Sequence, residues 1–278
     1  MRFGGPIFGD VPGPDAWVAA HHRKGFRAAY CPLGADANDD TIRAYEDAAH
    51  TADLTIAEVG AWSNPLSPDS TEREKALAHC RNQLELAERI GARCCVNISG
   101  SRGAKWDGPH PANLTDETFD RIVETVRGII DAVKPDRTYY CLETMPWAYP
   151  DSTDSYERLI DAIDRRRFAV HFDPANLLCS PQRYYASGAL IRDFVRRLGQ
   201  YIKSCHAKDI LLSDRLTTHL DEVRAGLGGM DYGAFLESVA TLDPDVCVML
   251  EHLPNEAEYD AAAAHIRGVA KDLGVEIS

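Results

Sequence analysis

Four side chains able to ligate a metal each close an apolar run: Glu143 ends "YYCLE", Asp173 ends "FAVHFD", His206 ends "IKSCH" and Glu251 ends "VCVMLE". Three carboxylates and one imidazole form a hard, oxygen-rich donor set. It suits Mn²⁺ above all, with Mg²⁺, Co²⁺ or Zn²⁺ as alternatives, and leaves coordination positions for substrate oxygens. A structural zinc would call on cysteines instead, and no CxxC spacing occurs. Any one of these residues alone reads as a strand-end polar group that caps a helix or bonds a loop. Four of them, on four consecutive runs, point to one divalent centre.

The elements that must carry these residues repeat along the chain. Apolar or β-branched runs bounded by Gly, Pro and Asp occur at 2–9, 26–32, 54–62, 92–100, 138–146, 168–174, 201–210 and 246–254. Between them lie helical patterns with capping signals. "TDETFDRIVETVRGIIDAV" spaces Phe119, Ile122, Val123, Val126, Ile129 and Ile130 on one face, and Gly91 closes the segment that Ser70 and Thr71 open. Further helices fit 153–166, 186–198, 231–241 and 256–273. Eight β-then-α units predict an α/β fold, a single (β/α)8 TIM barrel over residues 1–278. An open doubly wound sheet fits less well, because no glycine-rich dinucleotide loop follows the first strand. In such a barrel chemistry gathers where strands end, which is where the four ligand types stand.

A formal charge of −13 opposes attraction to polyanions, so no nucleic-acid partner is expected. No run of 18 uncharged apolar residues occurs, and "MRFGGPIFGD" lacks the apolar core of a signal peptide. The expectation is a cytoplasmic protein without a membrane partner. Six of the eight cysteines (Cys31, Cys94, Cys95, Cys141, Cys205 and Cys247) sit in strand-like runs and read as reduced, buried hydrophobes, with Cys94 and Cys95 on opposite faces of one strand.

The pieces "LET" with Glu143, "FDPANLL" with Asp173, "CHAKD" with His206 followed by "GLGGMDYGAFL", and "LEH" with Glu251 resemble the xylose isomerase-like TIM barrels. That family holds sugar isomerases, ketose 3-epimerases, inosose-pathway enzymes and endonuclease IV-type enzymes, and the similarity covers nearly the whole chain. The resemblance implies that Glu143, Asp173, His206 and Glu251 bind one divalent metal. It also implies that Glu143 and Glu251 act as the acid–base pair, exchanging a proton next to a carbonyl through an enediolate. The implied activity is that of a sugar or keto-sugar isomerase or epimerase on a small sugar or polyol. Ketose 3-epimerases carry a histidine where this chain has Asn176 and an arginine where it has Leu212. Those departures leave room for a second reading, a metal-dependent lyase that abstracts a proton from 3-keto glycosides or C-glycosides and eliminates. A third reading, a barrel that only binds or assembles, sits poorly with four intact ligand positions. The nuclease reading lacks the further histidines of a three-metal cluster.

Other residues are candidates for touching substrate. His171 shares a strand face with Asp173, and Lys208 shares one with His206. The competing readings are a core histidine bonded to a neighbouring strand's polar group and a rim lysine paired with Asp209 or another carboxylate. Trp147 and Tyr149 in "TMPWAYPD", and Trp62 in "GAWSNPL", could wall a sugar pocket, or pack on a neighbouring loop or a second subunit of a homo-oligomer. Asn97, Ser99 and Arg102 face the same end. Arg102 could hold an anion, although a surface ion pair is the ordinary role. His252 is expected to point away from Glu251 toward the helices, and "GLGGMDYG" reads as a flexible loop leading to the helix at Asp231.

Overall fold

The computed structural model describes residues 1–278. In chain order the first strands and helices alternate: β1 (Arg2–Gly4), α1 (Gly13–Arg23), β2 (Ala28–Tyr30), α2 (Asp39–Thr51), β3 (Thr55–Gly60), α3 (Ser70–Ile90), β4 (Cys94–Asn97), α4 (Asp116–Val133), β5 (Tyr139–Glu143) and α5 (Thr153–Ile163). β6 (Phe168–Phe172) leads into two short helices, α6 (Pro174–Leu177) and α7 (Pro181–Tyr185), before α8 (Ser187–Leu198). β7 (Ile202–Ala207) is followed by β8 (Asp209–Leu212) and β9 (Leu220–Val223), then α9 (Tyr232–Val239), β10 (Cys247–Leu250) and α10 (Glu256–Leu273). β1 to β7 and β10 pair in parallel and close on themselves, with β10 between β7 and β1, so the predicted eight-stranded barrel with an outer ring of helices is present.

The helices form where the pattern placed them, and for the expected reasons. α4 starts where the Thr115 side chain accepts from the Thr118 backbone N–H, and it buries Phe119, Ile122, Val123, Val126, Ile129 and Ile130 against the barrel. Each such side chain is worth about 1.5–3 kcal/mol when fully buried. α3 is capped by Asp69 rather than by Ser70 or Thr71, and it ends at Gly91, whose φ of 72° suits a residue without Cβ.

Small side chains fill the barrel interior. Cys94, Cys141 and Ala169 form one buried cluster, and Ala28, Ala57, Cys247 and Met249 form another. Cys95 belongs instead to the large cluster under the helices. The cysteines are all free thiols: Cys80, Cys94, Cys95, Cys141, Cys205 and Cys247 are buried, Cys31 is half-buried and Cys179 is exposed.

Two irregularities decide what faces inward near the top of the barrel. Register shifts between β2 and β3, with Ala29 opposite Ile56 but Tyr30 opposite Glu58. The extra residue, Ala57, turns the Glu58 side chain into the barrel. A second shift sets Val170 opposite Ile202 but His171 opposite Ser204, with Lys203 as the extra residue. From Ser204 onward, alternate residues of β7 face the interior.

The seventh run departs from expectation. The sequence pattern predicts one strand over residues 201–210, but the barrel strand ends at Ala207. β8 leaves the sheet to pair antiparallel with β9, with Asp209 opposite Val223 and Leu212 opposite Leu220. The glycine string after this hairpin is not a loose loop. Gly226 N, Gly228 N and Met230 N donate to the buried Asp209 carboxylate at 3.0, 3.1 and 3.0 Å, joined by Ile210 N at 2.8 Å. A Cβ on Gly228 would lie 2.2 Å from the Ile210 carbonyl oxygen and 2.3 Å from Asp209 Oδ1, so the backbone can wrap the carboxylate only with glycine there. The hairpin is thereby fastened to the barrel rim by one buried anion.

No helix is long and apolar enough to cross a membrane.

Candidate active site

Glu143 is the last residue of β5, Asp173 follows β6, His206 lies near the end of β7 and Glu251 follows β10. One ligand atom from each lies within 4.8 Å of every other. His206 Nδ1 is 3.1 Å from Glu143 Oε1 and 3.0 Å from Glu251 Oε2. Asp173 is held from its backbone: Thr144 Oγ1 donates to the Asp173 carbonyl at 2.8 Å and accepts its N–H at 3.1 Å. Asn176 donates through Nδ2 to Glu143 Oε1 at 3.2 Å, and its own N–H meets Asp173 Oδ1 at 3.3 Å, so it orients two of the four clustered residues.

Lys208 stands among these carboxylates. Its Nζ donates to Glu251 Oε2 at 2.7 Å and lies 2.7 Å from Asp173 Oδ2 and 3.5 Å from Glu143 Oε1. Its approach to Asp173 is off the hydrogen-bonding direction, so Asp173 Oδ2 is charge-paired yet accepts no hydrogen bond, although it is buried. Of the two pairings open to Lys208, the one with another carboxylate is present, with Glu251 and Asp173, and the one with Asp209 is not, because backbone N–H groups already satisfy Asp209.

Beneath the four ligands lies Glu58, which the sequence reading missed. It is 1% exposed. Its Oε1 is 2.9 Å from His171 Nε2 and accepts from Ser204 Oγ, while its Oε2 is 3.3 Å from His206 Nε2. An ionised carboxylate can only accept, so Nε2 of His206 carries a proton and Nδ1 is the atom that meets the ligand cluster. A carboxylate inside the otherwise apolar "LTIAEVGAW" was the available signal, but strand alternation alone did not aim it inward.

The charges act on one another. Burial opposes ionisation of Glu143 and Glu251, but the positive charges of Lys208 and His206 more than offset it and hold both carboxyls below the usual range. For Asp173 burial prevails over Lys208, aided by repulsion from Glu143, and its pKa is pushed up to about 7. Burial disfavours a charged His206, yet Glu251, Glu58 and Glu143 raise its pKa well above the ordinary value.

This donor set fits a divalent cation. Two buried carboxylates and the half-buried Glu251 face one lysine, Asp173 Oδ2 lacks a hydrogen bond, and an imidazole nitrogen is aimed at the same point. The buried Glu/Asp/His cluster can therefore hold a metal ion.

A family profile described as xylose isomerase-like TIM barrel matches residues 18–269. The chain belongs to this family. Solved structures of proteins with different activities share its fold. The probable 3-DHS dehydratase AsbF of Bacillus anthracis superposes with a TM-score of 0.71 at 18% identity, over 97% of this chain and 99% of that one. D-psicose 3-epimerase of Clostridium cellulolyticum gives 0.69 at 15%, over 99% and 100%. Endonuclease IV of Thermus thermophilus gives 0.70 at 15%, over 98% and 100%. At these identities the likeness establishes the xylose isomerase-like fold and no single activity. A comparison with curated proteins gave no match.

The other candidates divide. Trp62, Trp147, Lys208, Glu143 and Glu251 line a cavity of about 460 Å³ at the barrel mouth, together with Trp106 and Met145. Trp62 lies with its ring 6.4 Å from that of His206, in space that a Cβ on Gly60 would block at 2.5 Å from Trp62 Nε1. Trp147 is fixed by an Nε1–H bond to the Asp107 carbonyl at 2.8 Å.

His171 faces the barrel interior as expected but is not among the residues that line the cavity. It is fully buried and meets the His206 ring edge-on, with centroids 4.1 Å apart. Arg102 turns away from the cavity to Glu117, at 3.5 Å, and to the Thr118 hydroxyl. Asn97 bonds within the loop after β3, and Tyr149 donates to the Leu114 carbonyl. His252 reverses expectation: its φ of 58° breaks the strand alternation and brings it into the cavity, 3.4 Å from Glu251 Oε1 and 3.3 Å from Glu222 Oε1.

Proposed function

We propose that this barrel is a divalent-metal-dependent isomerase or epimerase of a sugar or keto-sugar, moving a proton next to a carbonyl through an enediolate. The observation that carries this reading is the convergence of Glu143 and Glu251 on one imidazole nitrogen, at 3.1 and 3.0 Å, on the floor of a tryptophan-walled cavity. Mn²⁺ is the proposed ion, held by Glu143, Asp173, His206 and Glu251. When bound it would supply Lewis-acid polarisation of the substrate carbonyl.

The chain's own groups account for the rest. Glu143 and Glu251 are both held ionised by Lys208 and His206, so one can accept the carbon-bound proton, while the other, after taking a proton from solvent, delivers it to the opposite face. Lys208, with Nζ between Asp173 and Glu251, supplies positive charge where the enediolate oxygens gain negative charge. Asn176 keeps Glu143 Oε1 oriented, and Trp62 and Trp147 present flat faces to the substrate ring. His171 serves below the site, through Glu58.

The same proton abstraction ends in elimination when the carbon next to the carbanion bears a leaving group, which is the lyase reading. Proton NMR of keto-sugars incubated with the metal-loaded enzyme in D₂O separates the two. Deuterium at an inverted or isomerised carbon supports the first, and an alkene with a released fragment supports the second. An enzyme that holds its metal but exchanges no carbon-bound proton refutes both.

A further inference from the structure

Beside the reaction cavity lies a second hollow of about 550 Å³, lined from the loop after β5 and the β8–β9 hairpin. Pro146, Trp147, Asn176 and Glu222 line both spaces, so the two adjoin. Their linings differ in chemistry. The floor of the central cavity carries Glu143, Lys208 and Glu251, whereas the walls of the side groove are Ala175, Leu178, Ile210 and Leu220, with Trp147 at its entrance. The few polar groups of the groove, Asn176, Thr218 and Glu222 among them, cannot serve the full rim of a hydroxylated ring, each hydroxyl of which needs its own partners.

Trp147 is built to divide the two spaces. It is 38% exposed. Its indole N–H is committed to the Asp107 carbonyl, so the ring is held in place and what remains free is its apolar face. Asn176, hydrogen-bonded to Glu143 Oε1, and Glu222, 3.3 Å from His252 Nδ1, stand at the junction. Both residues line the two spaces, so a molecule reaching from the carboxylates toward the groove meets them. Taken together the spaces fall in the size range that encloses a ligand larger than one sugar ring.

We infer that the substrate is a conjugate, with a polyhydroxylated ring presented to Glu143 and Glu251 and a flat apolar ring joined to it lying in the groove against Trp147. This rests on the proposed proton-transfer reading of the central site, and it adds the class of substrate that the site accepts. The β8–β9 hairpin, clamped to the rim through Asp209, is then one wall of the apolar subsite, and Leu220 belongs to its lining.

The test uses the metal-loaded protein with phenyl β-D-glucoside, methyl β-D-glucoside and phenol, followed by NMR titration. Burying the phenyl ring should make the phenyl glucoside bind at least about tenfold more tightly than the methyl glucoside, and phenol should bind the same place. Thr218→Trp, at an exposed position on the groove wall, should abolish the difference while leaving the methyl glucoside unaffected. Alkylation of Cys179, the one exposed cysteine and part of the groove, should do the same, and Cys179→Ser should bind like the parent and resist the reagent. Equal affinity for the two glucosides, or a difference that survives both blocks, overturns the proposal. Deuterium exchange on free keto-sugars reports separately. Exchange without a ring preference removes the conjugate and keeps the reaction, whereas ring preference without exchange removes the reaction and leaves the groove a ring-binding site that does not define a substrate.

Discussion

Glu58 Oε2 lies 3.3 Å from His206 Nε2, joining two residues 148 positions apart and fixing which nitrogen of His206 faces the ligand cluster. Glu58 also takes the hydroxyl of Ser204 and Nε2 of His171, so one carboxylate organises three inward-facing side chains. Partners of this kind typically change metal affinity 10–100-fold when removed. Glu58→Ala should therefore weaken divalent-metal binding by about 10–100-fold with the far-ultraviolet circular dichroism unchanged. Glu58→Gln, which keeps an acceptor oxygen, should lose less. Calorimetric titration of both variants checks the order, and equal affinity of Glu58→Ala and the parent would show that His206 needs no support from below.

Lys208 is expected to act on the reaction more than on the metal. Lys208→Met should lower kcat for proton exchange by about 10²–10³, the usual loss when one group stabilising a developing oxyanion is removed. Metal content should stay at that of the parent. Steady-state exchange rates together with elemental analysis would expose the opposite pattern, a metal-free variant.

Asp209 is a stability residue. Its carboxylate satisfies four backbone N–H groups, which Asp209→Ala would leave unpaired in a buried place. The variant should lose about 3 kcal/mol or more of stability. Gly228→Ala should lose stability as well, through its clash with the Ile210 carbonyl. Thermal melts of the two variants measure this, and unchanged melting would mean that the hairpin is not clamped as described.

The pH dependence of stability has a marker far from the site. His21 is buried in α1, its Nδ1 bonded to the Trp17 carbonyl at 2.8 Å, and burial lowers its pKa below the ordinary 6.5. The unfolded chain then binds the proton first, so His21 contributes stability that is present above pH 6.5 and lost as pH falls toward its depressed folded value. Denaturant unfolding between pH 7.5 and about 5 should show a shallower loss in His21→Gln than in the parent. Parallel curves would remove His21 from the explanation.

The strand-end ligands were legible because each interrupts an apolar run where a barrel needs polarity, and Glu143, Asp173, His206 and Glu251 meet as that pattern implied. What escaped was set by local departures from regular strand geometry. The extra residues at Ala57 and Lys203 change which side chains face inward, so strict alternation misplaces Glu58 and gives no warning of its link to Ser204. The positive φ of His252 does the same at the end of β10. The β8–β9 hairpin was hidden because its first strand continues directly from β7 with a single residue, Lys208, between them. Arg102 found an ion-pair partner on α4, a long-range choice that no spacing within its own loop encodes.

The account stands most directly on proton transfer by Glu143. The decisive measurement is solvent deuterium incorporation next to the carbonyl of a turned-over keto-sugar, followed by NMR with metal-loaded parent and Glu143→Gln, the metal content of each being determined on the same sample. The account predicts incorporation by the parent and its loss in Glu143→Gln, with the metal still bound. Undiminished incorporation by the variant would contradict it.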